Sequence, residues 1–251
     1  MSGADGFWAA LPLGRHVTLL ARDAHGLAAF NKPAGVLSHP NSRADEPRSL
    51  LTARYEKEGE FFAWGDATAP SRLWLLNRLD AATSGVILAA ASAELATAIR
   101  AHFKRKQVRK IYHALVFGLP RVKSELWRDH LRIEKRGGQI RAAVGEGTVV
   151  AECAMTVLKK TNAESRLALL QLEPRTGRSH QLRVQCESRG LPIVGDQTYG
   201  DFARNRAFAK QAGTKRLFLH SSETSFAYEF GGKRHEFAAS APLPPEFEKF
   251  F

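Results

Sequence analysis

A chain of 251 residues with 44% hydrophobic content has the apolar material for one large or elaborated domain. Its 37 Lys and Arg against 25 Asp and Glu leave a formal charge of +12, which favours a polyanionic partner, nucleic acid before an anionic membrane surface. No apolar run reaches the length of a membrane span, the N-terminus is not a signal peptide, and Cys153 and Cys186 form neither a disulfide framework nor a Cys-x-x-Cys pair, so a reducing cytoplasm is the expected setting.

Residues 1–16 are turn-rich and read as a loosely ordered extension. Residues 17–21 and 26–30 read as strands. The second ends in the turn Asn31-Lys32-Pro33-Ala34-Gly35-Val36, where the simplest reading of Lys32 is a solvated loop lysine. Residues 38–70 are polar and loop-rich, with a short helix expected around Ser49–Glu58. Two apolar runs, Leu73–Leu76 and Val86–Ala90, flank the polar stretch Asn77-Arg78-Leu79-Asp80-Ala81-Ala82-Thr83-Ser84-Gly85, a strand-turn-strand pattern.

Ser92 can cap a helix over 93–106, with Leu95, Ala98 and Ile99 on one face. Arg100 to Lys110 holds six Lys or Arg and no acid, more than a helix dipole calls for, and suits a phosphate-tracking ridge that includes Lys104, Arg105 and Lys106. Residues 111–118 form a strong strand pattern. Residues 120–148 suit hairpins with a mobile loop around Gly137-Gly138, and strands continue at 149–158 and 166–173. After the turn at 174–178, Ser179 can cap a helix over 180–189 that buries Leu182 and Cys186 and stops at Gly190. A helix over 201–212 ends at Gly213, a strand covers Arg216–His220, and Gly231-Gly232 closes a hairpin. Strands predominate and helices interrupt them without regular alternation. The expected class is α+β, with a mixed, mostly antiparallel central sheet in a single domain over 1–251.

Several chemistries find no support. There is no Gly-x-Ser-x-Gly elbow, no Walker loop and no Gly-x-Gly-x-x-Gly after a strand. Nine histidines lack the i, i+4 pairing of a zinc helix, so a structural metal is not expected. An aspartyl phosphatase would want a second acid two residues after Asp80, where Ala82 stands. Nothing marks Glu173 or Asp196 as the raised-pKa partner of a glycosidase pair. What remains is one carboxylate, Asp80, among cations. A nearby cation keeps a carboxylate ionised, which suits a nucleophile or base, and the basic chain points to a nucleotide within RNA.

The stretch Arg78-Leu79-Asp80-Ala81-Ala82-Thr83-Ser84-Gly85-Val86 resembles the Arg-Leu-Asp-x-x-Thr-Ser-Gly-aliphatic motif of the RluA-type RNA pseudouridine synthases. Four more stretches match that family in order. They are Lys32-Pro33-Ala34-Gly35, Lys110-Ile111-Tyr112-His113-Ala114, Thr176-Gly177-Arg178-Ser179-His180-Gln181-Leu182-Arg183, and Gly195-Asp196-Gln197-Thr198-Tyr199-Gly200. Two positions depart from the usual pattern: Asn77 and Gln185 stand where the family often has His. Only about thirty residues precede Lys32, which resembles the short members that lack an S4 RNA-binding domain.

The resemblance implies the pseudouridine synthase fold and isomerisation of uridine to pseudouridine in rRNA or tRNA by a monomer, without metal or cofactor. It implies Asp80 as the essential carboxylate, whether it attacks C1′, adds to the base or takes a C2′ proton; all three need it ionised. Arg183 is implied as its ion-pair partner, and Tyr112 as the ring that stacks on the target uracil and is placed to take the final C5 proton. The target base must leave its stack, and Arg78 is placed to fill the gap or hold flanking phosphate. Thr83, Arg178, His180 and the Lys104-Arg105-Lys106 ridge are expected to contact RNA. Two other readings remain beside this one: a non-catalytic RNA-binding protein on the same scaffold, and a hydrolase of small nucleosides, which would not need a charge of +12.

Overall fold

The computed structural model describes residues 3–136, 139–161 and 166–251, so the loop expected around Gly137-Gly138 lies outside the described residues. The chain forms two compact units, Met1–Val108 with Thr224–Ala241, and Arg109–Glu223 with Pro242–Phe251.

The first unit opens with helix α1, Gly3–Ala9. Asp5 pairs with Arg22 at 2.7 Å, the Phe7 ring lies 5.5 Å from that of Trp64, and Leu13 bridges to Leu51. Within the segment read from its composition as a loose extension, Asp5, Phe7 and Leu13 thus each have a partner elsewhere in the first unit. Strands β1 (Thr18–Arg22) and β2 (Leu27–Lys32) pair antiparallel. Residues 27–30 are fully buried, as expected of a strand covered on both faces.

The helix expected around Ser49–Glu58 does not form. A 3-10 turn occupies Arg43–Arg48, closed by reciprocal bonds between Ser42 and Asp45, and a strand, β3, follows at Arg54–Glu56. The reason is the period. Leu51, Ala53 and Tyr55 turn inward while Thr52 and Arg54 stay exposed, which is an alternation of two. Strands β4 (Phe61–Trp64), β5 (Ser71–Leu75) and β6 (Ser84–Ala90) continue the antiparallel sheet, and β6 also pairs with β2. Every residue of β6 is buried. Helix α2, Ala93–Lys104, is capped as expected by Ser92 Oγ, which accepts from Leu95 N. It buries Leu95, Ala96 and Ile99 against Leu27, Leu88 and Phe226.

The second unit holds β7 (Arg109–Phe117), β8 (Ser124–Arg136), β9 (Gln139–Val144), β10 (Val149–Lys160) and β11 (Leu167–Pro174). Their order is β7-β11-β10-β8-β9, antiparallel throughout. Helix α3, Gln181–Glu187, starts at His180, not at Ser179: His180 takes the left-handed conformation (φ 56°) at the N-cap. All six residues from Gln181 to Cys186 are buried and Glu187 is exposed, so a two-residue apolar stripe understates how far α3 is covered. Helix α4, Phe202–Ala212, ends at Gly213 as its sequence predicts, and Asp201, read as its first residue, is its N-cap. The core gathers Trp127, Met155, Leu170, Phe208, Phe218 and Phe247. Both cysteines are buried free thiols.

The next strand, β12, covers Leu219–Phe230, so Arg216 to Phe218 lie ahead of it. It leaves the second unit after Glu223 and continues into the first. Gly231 and Gly232, both at positive φ, join it to β13, Lys233–Ser240, in the expected hairpin. The class is α+β with a mixed, mostly antiparallel sheet. Among the described residues no helix is long and apolar enough to cross a membrane.

Candidate active site

Asp80 sits half-buried on a turn between β5 and β6 that is fastened at four points within the first unit. Leu76 N donates to Leu88 O at 3.0 Å, and Leu88 N donates in return to Asn77 Oδ1 at 2.8 Å. The Asn77 side chain thus extends the β5–β6 ladder by one bond where the main chain leaves it, which accounts for Asn77 without any contact to substrate. Ser38 Oγ accepts from Leu79 N at 2.9 Å and donates to Leu79 O at 2.7 Å. Thr83 N closes the turn onto Asp80 O at 3.0 Å, and Gly35 N reaches Ala81 O at 2.8 Å. The fourth fastening is Lys32. It is 0% exposed, and its ammonium donates to the carbonyls of Val36 at 2.7 Å, Pro33 at 3.1 Å and Ala81 at 3.1 Å.

Lys32 therefore corrects the solvated-lysine reading. It is the last residue of β2, opposite Gly85, and its amine ties the early Lys-Pro turn to the turn that carries Asp80. Arg78 is exposed and, among the described residues, takes part in no ion pair, so the stretch is not a plain Arg78–Asp80 surface pair. Thr83 is 3% exposed, and its N–H makes the backbone bond that shapes the turn.

In the second unit, Arg183 is 8% exposed on α3 and meets Asp196 through two parallel bonds, Nε to Oδ2 and Nη2 to Oδ1, both 2.7 Å. This fork-to-fork geometry is the strong form of the pair. Asp196 Oδ1 also accepts from Thr198 N at 2.8 Å and Tyr199 N at 2.9 Å. Burial pushes the Asp196 carboxyl up, but the Arg183 guanidinium and the two backbone donors outweigh it and hold the pKa below the usual carboxylate range. The Tyr199 ring lies under the guanidinium at 5.0 Å. A guanidinium carries five N–H donors, so two spent on Asp196 do not exhaust it.

The turn ahead of α3 is fixed by amides. Gln181 Oε1 accepts from Thr176 Oγ1 at 2.7 Å and Arg178 N at 3.1 Å, and its Nε2 donates to Glu152 O at 3.0 Å and Gln185 Oε1 at 3.1 Å. Gln185 is fully buried and passes the chain on to Asp129 Oδ2 at 2.6 Å. The Gln found where the family often has His is thus a structural amide inside α3. His180 is held by the Tyr199 hydroxyl at 2.8 Å, and Arg178 is exposed with its Nε on Val150 O. Gly195 precedes Asp196 at φ 79°, and a Cβ there would stand 1.8 Å from Arg216 O, so glycine is required.

Tyr112 lies on β7, opposite Leu172 of β11, half-buried against the core of the second unit. The basic ridge divides. Lys104, Arg105 and Lys106 are exposed at the end of α2, whereas Arg100 turns inward to Glu60 at 3.3 Å and to Leu75 O at 2.8 Å. Arg109 and Lys110 belong to the second unit, where Arg109 pairs with Glu173 at 3.0 Å and burial lowers the pKa of Lys110. Asp196 and Tyr199 are the residues the sequence left without roles, although both stand in a quoted motif.

A sequence model of the family described as RNA pseudouridylate synthase matches residues 26–188. The chain is 32% identical over 212 residues to tRNA pseudouridine synthase C of Vibrio cholerae, covering 81% of this chain and 83% of that one. It is 34% identical over 212 residues to the protein of the same name from Pasteurella multocida, covering 80% and 82%. Among solved structures it is similar to human RNA pseudouridylate synthase domain containing 4, with TM-score 0.65, 25% identity and coverage of 92% and 90%.

Proposed function

Since the chain belongs to the RNA pseudouridylate synthase family, and is an isomerase that converts uridine to pseudouridine in RNA, we propose that its substrate is a transfer RNA and that Asp80 is the carboxylate that carries the reaction. The tRNA assignment is supported by relatives named for tRNA that align over four-fifths of both chains. The observation that carries the Asp80 assignment is its turn. Main-chain groups of Asp80 and Ala81, and the flanking Leu79, are held by Thr83, Gly35, Lys32 and Ser38. A carboxylate held in place before substrate arrives loses little freedom in the transition state.

Ionised Asp80 breaks the N1–C1′ bond by attack at C1′, by addition to the base or through C2′ deprotonation, and C5 then joins C1′. Tyr112 stacks on the extruded uracil, worth ~1–3 kcal/mol per base. Arg183 supports the charge on the working carboxylate, held for that purpose by Asp196. Arg78, Arg178, His180 and the Lys104-Arg105-Lys106 end of α2 position the RNA through its phosphates and flanking nucleotides. The protein works as a monomer in the cytoplasm, with no cofactor or metal.

Tritium release from RNA labelled at uracil C5 tests this. The wild type releases label from tRNA and not from rRNA. Asp80→Asn loses activity on the order of 10⁴-fold, the scale of removing a nucleophile, while still binding tRNA. Release from rRNA alone overturns the tRNA assignment, and an active Asp80→Asn enzyme overturns the role of Asp80.

A further inference from the structure

Residues 40–57, within the stretch read as polar and loop-rich with a short helix, build a cleft of about 490 Å³, inside the ~300–1,000 Å³ range of ligand sites. Pro40 to Arg43 line one part of it, and Arg54, Tyr55 and Lys57 another. Three exposed cations, Arg43, Arg54 and Lys57, face one carboxylate in the lining, Glu46. None of the three has a close carboxylate partner among the described residues. Arg54 approaches Glu56 only to 3.8 Å, Lys57 Nζ donates to Asn41 O at 2.9 Å, and among the described residues Arg43 has no ion-pair partner. Cations converging on a concavity raise its potential and draw anions to it.

The cleft is also tied to the Asp80 turn within the same unit. Pro40 stands two residues from Ser38, whose hydroxyl clamps Leu79 in both directions. Tyr55 stacks on His39, ring centroids 4.7 Å apart and planes 9° apart, and feels the charge of Arg78. Burial, with Glu60 in support and Arg78 and Arg100 opposing, pushes the Tyr55 phenol up to about 12, so its hydroxyl stays a donor at working pH. An isolated small ligand is best held in an apolar, enclosing pocket. This lining is polar and open, which suits a polymer passing through.

We propose that this cleft binds the sugar–phosphate backbone of the RNA substrate beside the target uridine, with Arg43, Arg54 and Lys57 on its phosphates. The inference rests on the RNA-modifying reading above and adds a second point of grip to it. Backbone contacts of this kind set register without reading bases.

The test is the triple variant Arg43→Ala/Arg54→Ala/Lys57→Ala on tRNA. KM in tritium release should rise on the order of ten-fold with kcat at saturating RNA held, and the salt slope of binding, measured on the Asp80→Asn background, should fall by about one per cation removed. Arg43→Lys/Arg54→Lys should restore most of the binding, because charge and not the guanidinium fork is required. Unchanged KM, affinity and salt slope in the triple variant overturn the proposal. So does a loss of kcat at unchanged KM, which would mean a disturbed Ser38–Leu79 clamp. A wild type that releases no tritium from any RNA overturns the activity on which the cleft depends, whereas an active wild type with an unaltered triple variant overturns the cleft alone.

Discussion

The turn that carries Asp80 and the helix that carries Arg183 are both fastened by buried polar groups, yet the fastenings differ in kind. Around Asp80, the bonds described run to main-chain carbonyls and amides, from Ser38, Gly35, Asn77 and the Lys32 ammonium. They fix the backbone of the turn on which Asp80 stands. Around Arg183 the fastening is charge on charge, with a carboxylate that itself takes two backbone donors. A reacting anion is best positioned through its backbone. A buried cation must be compensated where it stands, because an unpaired buried charge is costly.

Removing the compensation is the strongest way to break this contrast. Asp196→Ala leaves the Arg183 guanidinium without its bidentate partner and strands the amides of Thr198 and Tyr199. It should destabilise the protein by ~3–5 kcal/mol in denaturant titration. The pH dependence has a definite sign. The folded pKa of Asp196 is depressed, so its contribution is present above the unfolded carboxylate value of ~3.9 and is lost as pH falls through the lower folded value. Wild type should therefore lose more stability than the variant below about pH 4. Parallel acid titrations of the two would remove the charge-compensation argument.

Lys32→Met makes the corresponding cut in the Asp80 turn. Three carbonyls lose a donor at once, but the cost of burying an ammonium also disappears. The net loss should be smaller, ~1–3 kcal/mol. Activity should fall further than stability does, and the fall should lie in kcat, because Ala81 O adjoins Asp80, the carboxylate proposed to react. Equal scores for Lys32→Met and Asp196→Ala in stability would erase the distinction between main-chain and charge fastening.

How far these two regions could be read in advance follows the range of the interactions. The Asp80 motif, the strands beside it, the Ser92 cap and the stop at Gly213 are local patterns of spacing, and the sequence displays them. Lys32 is different. A lysine beside a Pro-Gly turn looks solvated until β2 pairs with β6 and the Asp80 turn folds over it, an arrangement that joins residues 49 apart. The same limit applies to Asp196, whose motif was visible while its partner, thirteen residues away on another element, was not. Around Leu51–Tyr55 the failure was of period: two inward positions beside a polar turn fit a helix as well as a strand until Ala53 is known to be buried.

Asn77 offers the finest cut. It stands where the family often has His, and its role is either to choose among RNAs or to continue the β5–β6 ladder. The bond from Leu88 N to Asn77 Oδ1 favours the ladder. Asn77→Ala removes the acceptor from a buried amide and should cost on the order of 1 kcal/mol, with a modest drop in activity on every substrate. In Asn77→His the ring Nδ1 occupies the place of Oδ1, three bonds from Cα, and in its acceptor tautomer it can take the same proton. That variant should recover stability and activity together, with the preference for tRNA over rRNA unchanged. A shift in that preference, measured by tritium release from the two RNAs under one salt condition, would make Asn77 a reader of substrate and not only an extension of the β5–β6 ladder.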